Sequence, residues 1–177
     1  KKIFQPKDKS TRPLKDLVKE SIFNILEHSN LSKKKLFKST VLDLFSGSGS
    51  FGLECVSRGA LKVIFVENYS KALTILRKNI EELNCSEKTK VISLDIYTQQ
   101  KSQHLKEKFD FIFIDPPFKD ENFLELIIGL KNNKIIKKKT ILIIHRNKNT
   151  DDKISNEIEI LKQKIYGKSK IIFACLN

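Results

Sequence analysis

The sequence predicts an α/β fold: a mostly parallel sheet with helices on both faces and an antiparallel hairpin at the C-terminus. Five short apolar runs alternate with amphipathic segments, a pattern typical of a parallel sheet covered on both faces. Two further β-rich runs meet at Tyr166, Gly167 and Lys168, where a tight turn predicts the hairpin. A length of 177 residues with 40% apolar residues is expected to give one domain over residues 1–177.

The first half of the sequence predicts a helix followed by two strand-helix units. The segment RPLKDLVKESIFNILEH repeats apolar side chains at helical spacing. The run TVLDLF predicts a strand over 40–45, the loop SGSGSFG ends it, and a helix follows over 51–58. The run KVIFVE predicts a strand over 62–67, and the next helix is expected over 70–84 with Ser70 as its N-cap.

The second half of the sequence predicts three more strands before the hairpin. The runs KVISLD and FDFIFID predict strands over 90–95 and 109–115. A helix is expected over 122–130, and TILIIH predicts the fifth strand over 140–145. Strands that alternate with helices in this way favour parallel neighbours in one sheet.

Charge and cysteine content narrow the classes of function. The net charge of +13 favours a polyanionic partner such as nucleic acid, although a lysine-rich genome composition would give the same excess. Cys55, Cys85 and Cys175 are far apart and have no metal-ligand spacing, so neither a metal site nor a disulfide is expected. No apolar run reaches the roughly 18 residues of a membrane span, so a cytoplasmic protein without membrane contact is expected.

The loop after the first predicted strand concentrates glycine. Gly47, Gly49 and Gly52 allow close approach of the backbone to a ligand, and the helix that follows favours a negative group at its N-terminus. No G-K-[ST] follows, which excludes a Walker loop. Glycines that only tighten strand-to-helix packing are the alternative, but Glu67 ends the next strand, where a carboxylate can accept both hydroxyls of a ribose.

Two further carboxylates indicate which ligand this loop binds. Asp43 precedes the glycines and indicates a cationic group nearby. S-adenosylmethionine combines an ammonium, a carboxylate and an adenosine, which match Asp43, the helix N-terminus and Glu67. Asp95 ends the third strand, where it can accept a hydrogen bond from an adenine amine while Ile96 packs on the ring. An exposed turn aspartate is the alternative for Asp95.

The stretch FDFIFIDPPF predicts the reaction centre. Asp115 directly follows a buried strand, where an uncompensated carboxylate is costly. Pro116 and Pro117 fix φ and lack an N–H, so they give the strand a rigid exit whose carbonyls are expected to stay free as acceptors. An amine held by the Asp115 carboxylate and the Pro116 carbonyl would present its lone pair to a methyl donor while Phe118 stacks on the base. The stretch therefore predicts N-methylation; a proline-stiffened turn with a buried Phe118 is the alternative.

Taken together, these motifs resemble a known family. DLFSGSG, VE, LD and DPPF follow in the order seen in class I S-adenosylmethionine-dependent methyltransferases, and DPPF resembles the [DN]-P-P-[FYW] motif of their amino-nitrogen branch. The upstream segment TRPLKDLVKESIFNIL is similar to the bacterial 16S ribosomal RNA (guanine(966)-N2)-methyltransferase family, and the similarity covers nearly the whole chain. The resemblance implies a Rossmann-like, seven-stranded sheet with its last strand antiparallel, S-adenosyl-L-methionine over the glycine loop, and guanine N2 as methyl acceptor.

The resemblance also implies roles for individual residues. The cofactor-binding positions are Thr11, Arg12, Asp43, Phe45, Gly47, Ser48, Gly49, Glu67, Asn68, Asp95 and Ile96. The catalytic positions are Asp115, Pro116, Pro117 and Phe118. A basic cluster ahead of the first helix is expected to contact RNA phosphates, and it comprises Lys1, Lys2, Lys7, Lys9 and Arg12.

The sequence departs from the family pattern at two places. The basic N-terminal segment, residues 1–13 here, is expected to be truncated, and the strand ending IIHRN lacks the expected acidic residue. His145 in that ending is therefore expected at the surface, with no catalytic role. The expected partner is 16S ribosomal RNA within the 30S subunit or its assembly intermediate, bound by a monomer. Two other functions stay open: an adenine-N6 methyltransferase acting on DNA or RNA, and a non-catalytic RNA-binding assembly factor.

Overall fold

The computed structural model of the protein describes residues 3–6, 14–31, 33–98, 105, 107–152, 154 and 156–177. Within these residues the α-helices are α1 (Asp16–His28), α2 (Ser50–Ser57), α3 (Ser70–Glu82) and α4 (Phe123–Asn132). The strands there are β1 (Thr40–Leu44), β2 (Lys62–Glu67), β3 (Thr89–Ser93), β4 (Phe111–Ile114), β5 (Ile141–Asn147), β6 (Ile158–Tyr166) and β7 (Ser169–Leu176). None of these helices is long and apolar enough to cross a membrane.

The strands form a seven-stranded sheet in the order β3-β2-β1-β4-β5-β7-β6. β1 pairs in parallel with β2 on one side and β4 on the other, and β5 continues the parallel part beyond β4. β7 is antiparallel to both β5 and β6, so the C-terminal hairpin forms one end of the sheet. The strand order reverses between β1 and β4. Open α/β sheets bind their ligands at the carboxyl ends of the strands beside such a reversal.

Alternating side chains on each strand pack into two separate cores. Phe111 and Phe113 of β4 pack on the face that is covered by α1, α2 and α3. Ile112 and Ile114 of the same strand pack on the opposite face, with α4. The Phe51 ring of α2 stacks on Phe113 with 4.2 Å between centroids, which joins the helix after the glycine loop to the central strand. Because both faces are buried, the strands read as continuous apolar runs.

The predicted fold class is confirmed, with differences at the ends of elements. β5 extends to Asn147, two residues beyond its predicted end, because its last residues pair with β7. The prediction of Ser70 as an N-cap was wrong: Tyr69 occupies the N-cap position without a side-chain hydrogen bond, and Ser70 is the first helical residue. The Glu67 carboxylate accepts a hydrogen bond from the Tyr69 N–H at 2.9 Å, so Glu67 holds the turn that leads into α3.

Candidate active site

Most of the residues predicted to form the site meet at the carboxyl ends of β1, β2, β3 and β4. One cavity is lined by Asp43, Phe45, Gly47, Ser48 and Asp115, among others. An adjoining cavity is lined by Phe45, Glu67, Asn68, Asp95, Ile96 and Pro117, among others. Phe45 lines both cavities and has a left-handed φ of 58°, so the chain turns sharply where β1 ends. Gly49, Pro116 and Phe118 lie outside both linings.

The glycine loop is packed too closely for other side chains. Gly49 is the N-cap of α2 with a left-handed φ of 84°, and a Cβ there would lie 2.4 Å from the Cδ1 atom of Leu76. Gly52 lies in the first turn of α2, and a Cβ there would lie 2.3 Å from the Phe65 ring and 2.9 Å from an oxygen of Asp43. These two glycines therefore let α2 approach β1 and β2 closely. Close packing, the alternative raised for this loop, therefore requires glycine at these two positions.

Asp43 is a buried carboxylate with an unused oxygen. The residue is 1% exposed, and its Oδ2 accepts a hydrogen bond from the Gly52 N–H at 2.9 Å. Its Oδ1 has no hydrogen-bond partner among the described residues. Burial raises the pKa of Asp43 well above its usual range; the Gly52 N–H opposes this, while the charges of Asp115 and Glu67 add to it. A cationic group beside Oδ1 would relieve this cost, as the sequence predicts for an ammonium.

Glu67 holds the backbone around the second cavity. Its Oε2 accepts a hydrogen bond from the Gly47 N–H at 2.7 Å, and its Oε1 accepts from the N–H groups of Asn68 and Tyr69, both at 2.9 Å. A carboxylate offers roughly four acceptor positions, so about one remains. Contact with both hydroxyls of a ribose would thus require one backbone donor to leave.

The wall formed by Asp95 and Ile96 includes a residue that the sequence did not single out. Asp95 accepts a hydrogen bond from the Tyr97 N–H at 3.0 Å, and the Tyr97 hydroxyl bonds the carboxylate of Asp120. Burial raises the pKa of Tyr97, and the Asp120 hydrogen bond raises it further. The Tyr97 ring contacts that of Phe45 at 5.7 Å between centroids. Tyr97 therefore links the ends of β1 and β3 to the loop after β4.

A buried arginine donates hydrogen bonds to the backbone of the loop DPPF and of Asp120. Arg146 is 2% exposed, and its guanidinium donates to the carbonyls of Pro117 at 3.3 Å and Asp120 at 2.7 Å. It also forms an ion pair with Asp152 at 2.8 Å. The expectation of free carbonyls was therefore wrong for Pro117, whose carbonyl also accepts from the Asp120 N–H. The Pro116 carbonyl stays the predicted acceptor.

His145 lies inside the site rather than at the surface. It is 2% exposed, its Nδ1 lies 2.9 Å from Oδ1 of Asp115, and its Nε2 lies 2.8 Å from Oγ of Ser169. The Phe118 ring meets the imidazole edge-on, with 5.6 Å between centroids. The expectation of a surface histidine was wrong because β5 continues past His145 and β7 pairs alongside it.

The described part of the N-terminal segment contacts the glycine loop. The Asn79 amide of α3 bonds both the N–H and the carbonyl of Phe4, at 2.7 and 3.0 Å, and the carbonyl of Ser48 at 3.0 Å. Gln5 accepts a hydrogen bond from the Ser48 hydroxyl and, with Pro6, lines the first cavity. The other N-terminal predictions lie outside the described residues: Lys1, Lys2, Lys7, Lys9, Thr11 and Arg12.

The sheet order and this site define the class of protein: a class I methyltransferase that uses S-adenosylmethionine. The chain belongs to the family described as Conserved hypothetical protein 95, whose model matches residues 1–175. It is 35% identical to the ribosomal RNA small subunit methyltransferase D of Haemophilus influenzae, over 88% of this chain and 78% of that protein. An uncharacterized methylase of Rickettsia prowazekii is 32% identical, over 91% and 87%. A solved structure of a proposed methylase from Haemophilus influenzae matches with a TM-score of 0.72 and 30% identity, over 91% and 97%.

Proposed function

We propose that this protein transfers a methyl group from S-adenosylmethionine to the exocyclic N2 amine of a guanine in 16S ribosomal RNA. The observation that carries the proposal is the position of Asp115, which leaves β4 in a rigid proline elbow and lines the same cavity as Asp43. The relative named ribosomal RNA small subunit methyltransferase D supports the RNA substrate. The choice of guanine N2 rests on the family resemblance of the segment TRPLKDLVKESIFNIL.

The residues of the two cavities fit the cofactor. Oδ1 of Asp43, which has no hydrogen-bond partner in the described part of the chain, suits the ammonium, and the N-terminus of α2 suits the carboxylate. Glu67 has about one acceptor position left for a ribose hydroxyl, and Asp95 suits the adenine amine, with Ile96 packed against the ring. When bound, S-adenosylmethionine supplies an electrophilic methyl group on a sulfonium.

The chain itself orients the amine that is methylated. The Asp115 carboxylate and the Pro116 carbonyl accept the two N–H bonds of the amine, which directs its lone pair away from both acceptors. Phe118 packs on the base plane. The nitrogen becomes positively charged as it attacks, and the carboxylate of Asp115 stabilises that charge before the proton leaves. Asp115 acts as an orienting and electrostatic group, with no need for a nucleophile in the protein.

A substitution of Asp115 tests whether this residue orients the amine without contributing to cofactor binding. Asp115→Ala removes an acceptor for the amine but none of the proposed cofactor contacts, so we expect turnover to fall by about 100-fold or more. Cofactor affinity, measured by calorimetry, is expected to stay within about threefold, a change below roughly 1 kcal/mol. Equal losses of turnover and cofactor affinity would contradict the proposed role.

We propose that the N-terminal lysines and Arg12 contact the RNA. The substrate in this proposal is 16S RNA within the 30S subunit or its assembly intermediate. The anchoring of Phe4 and Gln5 beside the first cavity supports this location. We also propose that the protein is a monomer in the cytoplasm. Replacing Lys7 and Lys9 with alanine should reduce the slope of log affinity against log salt by about 0.7 to 0.9 for each phosphate that is no longer neutralised. Lys137→Ala/Lys138→Ala is the matched control, because these lysines precede the amino end of β5, whereas the cavities lie at the carboxyl ends of the strands. A slope unchanged by the Lys7 and Lys9 substitutions would contradict the location.

A further inference from the structure

The contact between His145 and Asp115 joins a buried imidazole to the proposed catalytic carboxylate. The side chains of His145 and Asp115 are 3% and 12% exposed, and the distance from Nδ1 to Oδ1 is 2.9 Å. The second ring nitrogen lies 2.8 Å from the Ser169 hydroxyl, so each nitrogen of the ring has a polar neighbour at hydrogen-bond distance. The two contacts come from β7 and from the end of β4, the strands on either side of β5.

The chemistry of Asp115 and Ser169 determines which nitrogen of the His145 ring carries hydrogen. An ionised carboxylate only accepts hydrogen bonds, so Nδ1 of His145 must carry a hydrogen and donate it to Asp115. A serine hydroxyl can donate as well as accept, so Ser169 can donate to Nε2 when the imidazole is neutral. The bond at one nitrogen then selects the tautomer at the other. Oδ1 of Asp115 is thereby held by His145.

We infer that His145, oriented by Ser169, is a positioning residue that fixes the Asp115 carboxylate for methyl transfer. This inference rests on the proposed function of Asp115. Its physical basis is preorganisation: a carboxylate that can rotate about χ2 aligns the amine for only part of the time. The edge-on contact of Phe118 with the imidazole places the residue that packs on the base against the same ring. One histidine thus supports two residues of the DPPF motif.

Two substitutions separate the Asp115 contact from the Ser169 contact. His145→Asn can place its amide NH₂ near the position of Nδ1, so it can still donate to Asp115. His145→Gln reaches the position of Nε2 and keeps a contact with Ser169 but offers no donor to Asp115. His28→Asn is the matched control, because the His28 side chain is 76% exposed on α1. Thermal unfolding of each variant identifies any that fails to fold.

The expected result is a loss of kcat without a loss of cofactor binding. We expect His145→Gln to lower kcat by about 10-fold to 100-fold, the range produced by displacing a reacting group by about 1 Å. The KM for S-adenosylmethionine should stay within about twofold, and His145→Asn should recover most of kcat because it restores the donor. Equal activity of the Asn and Gln variants, or a fall in cofactor affinity that accounts for the loss, would overturn the inference.

A measurement on the wild-type protein tests the inference without an activity assay. Long-range proton-nitrogen NMR correlations report which ring nitrogen carries hydrogen, and the signals of His145 are those absent from His145→Asn. Hydrogen on Nδ1, alone or together with Nε2, is the expected result. A neutral ring with hydrogen only on Nε2 would overturn the inference. If the wild-type protein methylates neither 16S RNA, free or in 30S particles, nor DNA, the proposed function fails. The NMR result still decides whether His145 donates to Asp115.

Discussion

The replacement Gly52→Ala tests how tightly the glycine loop is packed. The added Cβ would lie 2.3 Å and 2.8 Å from two atoms of the Phe65 ring and 2.9 Å from Oδ2 of Asp43. Phe65 is fully buried, so a shift of its ring would disturb the side chains packed around it. Overpacking of this kind costs up to about 3 kcal/mol, and the higher helix propensity of alanine returns about 1 kcal/mol. We therefore expect a net loss of about 2 kcal/mol in the free energy of unfolding.

A second glycine in a helix provides the matched control for Gly52→Ala. A Cβ on Gly129 of α4 would have no atom within 4 Å, so Gly129→Ala should gain up to about 1 kcal/mol. Calorimetric melting should show a Tm lower by about 4 to 8 °C for Gly52→Ala and higher by about 2 to 4 °C for Gly129→Ala. The displaced Asp43 should also weaken binding of S-adenosylmethionine in the first variant only. A Tm for Gly52→Ala at or above that of the wild type would refute the packing argument.

Three further predictions follow from buried polar groups. The raised pKa of Asp43 means that the folded state holds its proton more tightly than the unfolded state, so its contribution to stability is lost as pH rises from about 4 through the folded pKa. Urea unfolding at several pH values should show this loss in the wild type but not in Asp43→Asn, and parallel curves would contradict it. Asn79→Ala removes three hydrogen bonds and should cost about 1 to 3 kcal/mol while speeding amide exchange at Phe4; unchanged exchange would show that Asn79 does not anchor the segment. Arg146→Met leaves Asp152 with a buried, partly compensated charge and should lower the free energy of unfolding by about 3 kcal/mol, whereas a loss below about 1 kcal/mol would mean that Lys170 alone compensates it.

The sequence alone predicted the sheet and several of the residues that line its cavities. Local signals were sufficient for this, because apolar runs mark buried strands and the carboxyl ends of parallel strands meet at one edge. Asp43, Glu67 and Asp95 each end a strand or lie near its end, so their convergence followed from topology. The bounds of β2 were predicted without error, since Lys62 and Glu67 bracket four apolar residues.

The supporting contacts escaped prediction because they join residues that are distant in sequence. Ser48 and Asn79 meet only after α3 packs on the sheet, and Arg146 reaches Pro117 only after β4 and β5 pair. His145 was misplaced for a related reason: its polar side chain looked like the end of a strand, whereas the strand continues beside β7. The sequence did contain a signal for the burial of His145, namely the β-rich hairpin at the C-terminus. A hairpin strand that pairs with β5 leaves no exposed edge beside His145.

Transfer of a radiolabelled methyl group is the most direct test of the central claim. The protein should be incubated with labelled S-adenosylmethionine and, in parallel, with unmodified 30S particles, naked 16S RNA and DNA, followed by nucleoside analysis. Asp115→Ala serves as the inactive control. The proposed function predicts label in N2-methylguanosine, most strongly from the 30S particles. Label in N6-methyladenosine, or no transfer despite tight cofactor binding, would contradict it and favour an adenine methyltransferase or a non-catalytic RNA-binding protein respectively.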